Sequence, residues 1–226
     1  MSEPRFLLHY APWSRAQRAL WLLEEARLPY ALVEHDLQKG THKRAEYLGL
    51  NPDGKVPALV DRGPEGGGGK WPVVVTESAA ICLYVADLSG DAYLAPPVGS
   101  PDRAAYMTWL VYAASVLEPA FADMVYGRAE TPRPGSIGWP PFAEAVERCG
   151  QALEQRGGEA PYLLGERFSA ADIMVGGMLG WVVAWNKIEA TPAIRRYLDA
   201  LNARPAHQRA EAKQAEIIAA RQAAAQ

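Results

Sequence analysis

Every strand-like run in this chain falls before residue 89. Phe6-Leu7-Leu8, Tyr30-Ala31-Leu32-Val33, Lys55-Val56-Pro57-Ala58-Leu59-Val60 and Val73-Val74-Val75 are short, apolar and bounded by turn residues. Between the first two runs, Ala16, Ala19, Leu20 and Leu23 recur at spacings of three and four, which predicts a helix over Arg15–Ala26. After the last run, Thr76-Glu77-Ser78 opens a second helix reaching about Leu88. The order β-α-β, then two hairpin-joined strands, then α, builds a small mixed sheet with helices packed on it. Beyond Ser89–Pro101, a stretch holding Gly90, Pro96, Pro97, Gly99 and Pro101, only helical signals remain. The expected division is an α/β domain over 1–88, a linker over 89–101 and an all-α domain over 102–226.

Local punctuation sharpens this outline. Pro29 ends the first helix, because the residue before a proline is pushed out of the α region. A short helix is expected over Lys43–Leu48, and Asn51-Pro52-Asp53-Gly54 is a turn. Pro57 has no N–H for a strand ladder, so it belongs at a strand start or edge, where its neighbours' backbone groups are free to bind something else. Gly66–Gly69 lacks the order of a phosphate-binding loop and reads as a hairpin loop. In the second half, Asp102–Val125 reads as one long helix bent at Pro119, and Phe142–Arg156 as a helix ended by Gly157-Gly158. Ser169 and Asp172 have the spacing of a capping box with Asp in place of Glu, a structural role worth about 1 kcal/mol. Gly176-Gly177 allows close helix packing; Pro192–Asn202 and Arg209–Ala223 are the last helices, the latter read as a solvated surface helix.

Composition excludes several classes of function. Of 226 residues 49% are hydrophobic, no apolar run is long enough to span a membrane, and the N-terminal stretch lacks a long apolar segment, so a soluble cytoplasmic protein is expected. With a net charge of −3 and scattered basic residues there is no nucleic-acid footprint. Two distant cysteines, Cys82 and Cys149, form neither a disulfide framework nor a metal-ligand spacing, and no metal is expected.

The stretch with most chemical content is His9-Tyr10-Ala11-Pro12-Trp13-Ser14-Arg15-Ala16-Gln17-Arg18. A strand end, a polar turn and a helix start converge there, and the helix N-terminus favours an anion. Tyr10 and Ser14 both bring hydroxyls to that point, and Ser14-Arg15-Ala16-Gln17 also fits a capping box. A free thiol has a pKa of about 8.5, so a hydroxyl donor beside a helix N-terminus is the means to hold it as thiolate.

Five stretches, in order and over nearly the whole chain, resemble the cytosolic glutathione S-transferase family. They are Tyr10-Ala11-Pro12-Trp13-Ser14 through Arg18, Asn51-Pro52-Asp53-Gly54-Lys55-Val56-Pro57-Ala58-Leu59, Thr76-Glu77-Ser78-Ala79-Ala80-Ile81, Phe168-Ser169-Ala170-Ala171-Asp172 and Ala203-Arg204-Pro205. The resemblance implies a thioredoxin-like N-terminal domain, a helical C-terminal domain, glutathione as co-substrate, a small hydrophobic electrophile and a homodimer. It implies that Val56 and cis-Pro57 bind the cysteinyl backbone of glutathione, that Glu77 and Ser78 hold the γ-glutamyl end, and that Lys55 is a candidate for the glycyl carboxylate. Ser14 matches the catalytic serine of serine-type, bacterial-type members, and Tyr10 resembles the tyrosine of tyrosine-type classes; Ser14 is favoured. No cysteine stands in the turn, which argues against a mechanism through an enzyme thiol.

Trp13, Tyr106, Trp109, Tyr112, Trp181 and Trp185 are candidates for lining an apolar electrophile pocket facing Ser14 from between the domains. Aromatics at helical spacing are equally natural core residues. The reading is a glutathione transferase; the rivals are a non-catalytic glutathione- or ligand-binding protein, or a glutathione-dependent peroxidase, isomerase or dehalogenase on the same fold.

Overall fold

A parallel strand pair needs a crossover, and the helical repeat between the first two apolar runs supplies it. In the computed structural model, which describes residues 3–64, 69–90, 93–128, 138–155 and 160–224, β1 (Phe6–Tyr10) and β2 (Tyr30–Glu34) pair in parallel through α1 (Ala16–Ala26). A short α2 (Ala45–Leu48) leads to β3 (Ala58–Asp61), β4 (Val73–Thr76) and α3 (Ser78–Leu88). The sheet order is β2-β1-β3-β4, with β3 antiparallel to both neighbours. Strand β3 begins one residue after Pro57, where the missing N–H costs no ladder bond. Helix α1 stops at Ala26, three residues short of Pro29, because Arg27 turns left-handed (φ 54°) and its N–H closes on the Leu23 carbonyl. At the sheet's far end Arg5 forks onto buried Asp61, Nε to Oδ1 at 2.6 Å and Nη2 to Oδ2 at 2.7 Å. Gly66–Gly68 and Gly157-Gly158 lie outside the described residues.

Alternation along β1 sends Phe6, Leu8 and Tyr10 to one face and His9 to the other. Tyr10 reaches Gln17 of α1, whereas His9 lies tilted against Tyr47 of α2 (centroids 4.9 Å) and stacks on His35 (5.2 Å). His9 Nδ1 lies 2.9 Å from His35 Nε2. Burial first, and then the His35 charge, lowers the His9 pKa from 6.5 to about 4. An unfolded chain protonates this imidazole near pH 6.5 and the folded chain only near 4. Between those values the unfolded state holds the extra proton, so stability falls as pH falls, by about 3 kcal/mol in all. Urea titrations at pH 7 and pH 4 should show the wild-type protein losing about that much more than a His9→Gln variant; equal losses would place the acid sensitivity elsewhere.

The last helix is a surface element along most of its length, as expected, but it carries a packed stripe. Helix α9 (Pro205–Ala224) groups with the N-terminal unit, Met1–Ala92 plus Pro205–Gln226, while Tyr93–Arg204 forms the other unit. Ala206, Ala210 and Gln214, four residues apart, form its buried stripe. Small side chains there let α9 approach α1 closely, with Trp21 edge-on to His207 (centroids 4.5 Å) and Arg209 Nε 2.6 Å from Glu24 Oε2. The expected third segment, 102–226, therefore loses its last twenty-odd residues to the sheet-bearing unit.

The helical unit consists of α4 (Pro101–Tyr112), α5 (Glu118–Val125), α6 (Phe142–Gln155), α7 (Ala170–Ala184) and α8 (Pro192–Asn202). The expected helix over Asp102–Val125 is interrupted by a π-helical turn, Ala113–Leu117, that ends just before Pro119. Proline has no N–H for the carbonyl four residues back, Ser115, so the distortion falls N-terminal to Pro119 rather than at it. Helix α7 is the buried centre. Gly176 is where it meets α8: a Cβ there would stand 2.1 Å from Leu201 Cδ1. Its start carries the expected Ser169–Asp172 capping box, and Asp172 does more than cap. Fully buried, its carboxylate accepts from Leu163 N (2.9 Å), Ser169 N (2.8 Å), Ser169 Oγ (3.0 Å) and Tyr197 Oη (3.2 Å). Burial pushes its pKa up to about 6, against the pull of those donors, so it is ionised at neutral pH.

Candidate active site

Strand register brings the three predicted segments to one end of the sheet. His9 pairs with Ala58, and Ala58 pairs with Thr76. The chain therefore leaves β1 into the Ala11–Ser14 turn beside the point where Val56-Pro57 enters β3, and beside the point where β4 passes into Glu77-Ser78. Adjacent strands lie about 4.8 Å apart, so the three segments span roughly 10 Å.

The central segment is built to present backbone. The Val56-Pro57 peptide is cis, and Val56 stands before the first paired residue of β3. Lys55 is anchored through its carbonyl, which accepts from Tyr47 Oη and from Asn51 Nδ2 (2.8 Å), while its side chain is exposed. The turn residue Gly54 (φ 56°) is needed on two counts: a Cβ there would also press on Lys43 and Leu48 at under 3 Å.

On one flank, Glu77 stands at the N-cap of α3 with φ 67° and ψ 123°, a conformation L-residues avoid. Its side chain makes no cap bond, and Ile81 N–H closes the first turn on its carbonyl at 2.9 Å. Among the described residues neither Thr76 nor Ser78 makes a side-chain hydrogen bond, so a role confined to helix capping does not account for them. Glu77 is exposed, and the first N–H groups of α3, like those of any helix, have no intrahelical acceptor.

On the other flank, Ser14 is half-buried; its Oγ donates to the Ala11 carbonyl (2.7 Å) and accepts from Ala16 N (3.1 Å). The expected capping box with Gln17 does not form. Gln17 turns away instead, its Oε1 accepting from Tyr10 Oη (2.8 Å) and its Nε2 donating to Glu211 Oε1 (2.8 Å). Tyr10 is fully buried, and burial raises its pKa well above the ordinary phenol value. Trp13, left-handed at φ 58° and 68% exposed, projects from the turn, while its N–H donates to Gln214 Oε1 (3.1 Å). Gln214 and Glu211 were invisible to motif reading; the only signal was the four-residue recurrence Ala206, Ala210, Gln214.

Both cysteines are fully buried, and burial pushes each thiol up to about 12. Of the aromatic candidates in the helical unit, Tyr106, Trp109 and Tyr112 are core residues, Tyr112 Oη donating to the Ala145 carbonyl at 3.0 Å. Trp181 and Trp185 stack on each other (centroids 5.7 Å), and Trp185 is 46% exposed. Among the described residues no group of three or more His, Cys, Asp or Glu side chains could hold a metal, and no helix is long and apolar enough to cross a membrane.

A thioredoxin-like α/β unit with a cis-proline opening its third strand, followed by a helical unit, defines the class to which this chain belongs. Residues 12–88 match the glutathione S-transferase N-terminal domain and residues 118–200 the C-terminal domain. The chain is a member of the glutathione S-transferase family, and by family an enzyme, a glutathione transferase. It is 32% identical over 203 residues to the disulfide-bond oxidoreductase YfcG of Escherichia coli K12, covering 88% of this chain and 91% of that one. It is 29% identical over 201 residues to glutathione S-transferase GstA of Escherichia coli O157:H7, covering 88% and 93%. Among solved structures it resembles a glutathione transferase from Methylococcus capsulatus (TM-score 0.73, 27% identity, 93% and 98% covered). A glutathione transferase homolog from Sulfitobacter with bound glutathione is similar too (TM-score 0.70, 27% identity, 92% and 97% covered).

Proposed function

We propose that the protein binds glutathione across the exits of β1, β3 and β4 and activates its thiol for attack on a small apolar electrophile. The observation that carries this is the register, which lines up Ser14, Val56-Pro57 and Glu77-Ser78 over about the reach of an extended tripeptide, roughly 10 Å. The unpaired backbone at Val56 suits an antiparallel contact with the cysteinyl residue. Glu77 suits the γ-glutamyl ammonium; Ser78 and the first N–H groups of α3 suit its carboxylate. Lys55 is free to meet the glycyl carboxylate.

Ser14 is the thiol-activating group in this serine-type reading. A hydroxyl has one proton and two lone pairs. Ala16 N–H keeps one lone pair occupied and so holds the oxygen in place, while the proton now on the Ala11 carbonyl turns to the sulfur. Tyr10 is disfavoured because its hydroxyl is buried and committed to Gln17. Ser14→Ala should raise the thiol pKa of bound glutathione by about one to two, the worth of a hydrogen bond to a charged acceptor. Tyr10→Phe should move it less. The ultraviolet absorbance of the thiolate, titrated in the complex, decides between them.

Retention on a glutathione resin together with conjugation of an activated aryl halide tests the whole reading; absence of both would end it. The electrophile is apolar, and Trp13 is the exposed aromatic nearest Ser14 in the turn. With the reading go a homodimer, a cytoplasmic location and a role in detoxification. A second reading draws support from the likeness to a disulfide-bond oxidoreductase: two glutathiones are oxidised to their disulfide while a substrate disulfide is reduced to two thiols. With both protein thiols buried, glutathione would supply the attacking sulfur, and turnover would persist in a Cys82→Ser/Cys149→Ser variant.

A further inference from the structure

Beneath the Ala11–Ser14 turn lies a closed ring of polar side chains that none of the roles above uses. Glu211 of α9 accepts from two amides, Gln17 Nε2 at 2.8 Å and Gln214 Nε2 at 3.3 Å. With their NH2 ends so committed, both glutamines must turn their oxygens toward the turn. Gln17 Oε1 accepts from Tyr10 Oη at 2.8 Å, and Gln214 Oε1 lies 3.3 Å from the same hydroxyl. Gln214 Oε1 also takes the backbone N–H of Trp13 at 3.1 Å, the residue immediately before Ser14. Gln17 and Gln214 are each 6% exposed and Tyr10 is fully buried, so the inner side of the ring is shielded from water, while Glu211 closes it from the exposed face of α9. Inside such a site an unmade bond costs far more than at the surface.

We propose that Gln214 and Glu211 are positioning residues for thiol activation: Glu211 fixes the orientation of the Gln214 amide, and Gln214 holds the Trp13 N–H so that the left-handed turn delivers Ser14 Oγ to the sulfur. This rests on the Ser14 reading above. Trp13 carries a bulky side chain at φ 58°, a conformation it leaves unless something holds it. The Gln214 carbonyl is the bond that does so. Tyr10 is part of the same brace, which accounts for a buried tyrosine at this strand end whose hydroxyl is committed to Gln17. Displacing Ser14 by about 1 Å would weaken its bond to a thiolate while leaving the Val56 and Glu77 contacts intact.

The test compares wild type, Ser14→Ala, Gln214→Met and the double exchange Glu211→Gln/Gln214→Glu, all in the full chain. Methionine keeps the buried volume and removes the acceptor. The double exchange keeps an acceptor under Trp13 and an amide beside it, with donor and acceptor traded between the two α9 positions. Gln214→Met should raise the thiol pKa of bound glutathione and lower kcat/KM for conjugation near neutral pH about tenfold, with the dissociation constant for glutathione within about twofold of wild type. The double exchange should restore both the pKa and the rate. A merely structural α9 would lower the thermal midpoint without moving the thiol pKa, and that result overturns the proposal, as does a double exchange no better than Gln214→Met. If Ser14→Ala itself leaves the thiol pKa at the wild-type value, the Ser14 reading and the positioning role fall together. If Ser14→Ala moves it and Gln214→Met does not, only the positioning role falls.

Discussion

Asp172→Ala is expected to lower the unfolding free energy by about 3–5 kcal/mol, as removal of a buried charged partner does. A helix cap alone is worth about 1 kcal/mol, and the excess comes from what the substitution strands. Leu163 N–H, Ser169 N–H and the Ser169 and Tyr197 hydroxyls all point at this one carboxylate. Water cannot replace it, since Asp172 is fully buried and Ser169 and Tyr197 are nearly so. Ser169→Ala removes one donor and leaves the carboxylate with three, so it should cost about 1 kcal/mol. Urea unfolding of the two variants separates a hub from a cap: equal, small losses would show that Asp172 is no more than a cap.

The second large effect concerns ligand rather than fold. Glu77→Gln should weaken glutathione binding about 10- to 100-fold, the worth of a charge-assisted hydrogen bond to an ammonium group. Stability should stay within about 0.5 kcal/mol, because the side chain is exposed and caps nothing. The decisive control is a glutathione analogue lacking the γ-glutamyl amine. Calorimetry should find that wild type and Glu77→Gln bind that analogue equally; a persisting difference would mean that Glu77 acts through something other than the ammonium. The strained backbone at Glu77 fits the same picture. A non-glycine residue at φ 67° costs on the order of 1–3 kcal/mol and persists where function requires the direction it gives the side chain.

Much of the sheet-bearing unit was legible because its signals are local. Pro57 lacks an N–H, so β3 had to begin after it, and Val73-Val74-Val75 had to return beside it; the adjacency of β1 and β3 and the pairs His9–Ala58 and Ala58–Thr76 are supplied by the fold. The capping spacing of Ser169 and Asp172 was local as well, whereas the donors Leu163 and Tyr197 come from elsewhere in the fold. What escaped were partners remote in sequence. Alanines at four-residue intervals are as natural on a wet helix face as on a closely packed one, so Ala206, Ala210 and Gln214 announce nothing until Tyr10 and Trp13, some two hundred positions earlier, stand against them. The Tyr10 hydroxyl has a partner of the same remote kind in Gln214. The residue's place at the strand end was readable, but its hydroxyl's destination depends on which helices cover that face. Pro119 marked the right region of α4–α5, while the π-turn it forces lies upstream, on the carbonyls its ring deprives of a donor.

The return of α9 to the first unit sets an order on synthesis. Residues 3–90 leave the ribosome with β1 to β4 and α1 complete, yet Trp21 lacks His207 and the Trp13 N–H lacks Gln214 until the last helix has emerged. The nascent chain must therefore make all of α4 to α8 while its earliest turn is still unbraced. A ribosome that stops between residues 90 and 214 releases a chain that holds β1 to β4 but lacks the acceptor of the Trp13 N–H. The turn at Trp13 thus waits for an acceptor made some two hundred residues after it.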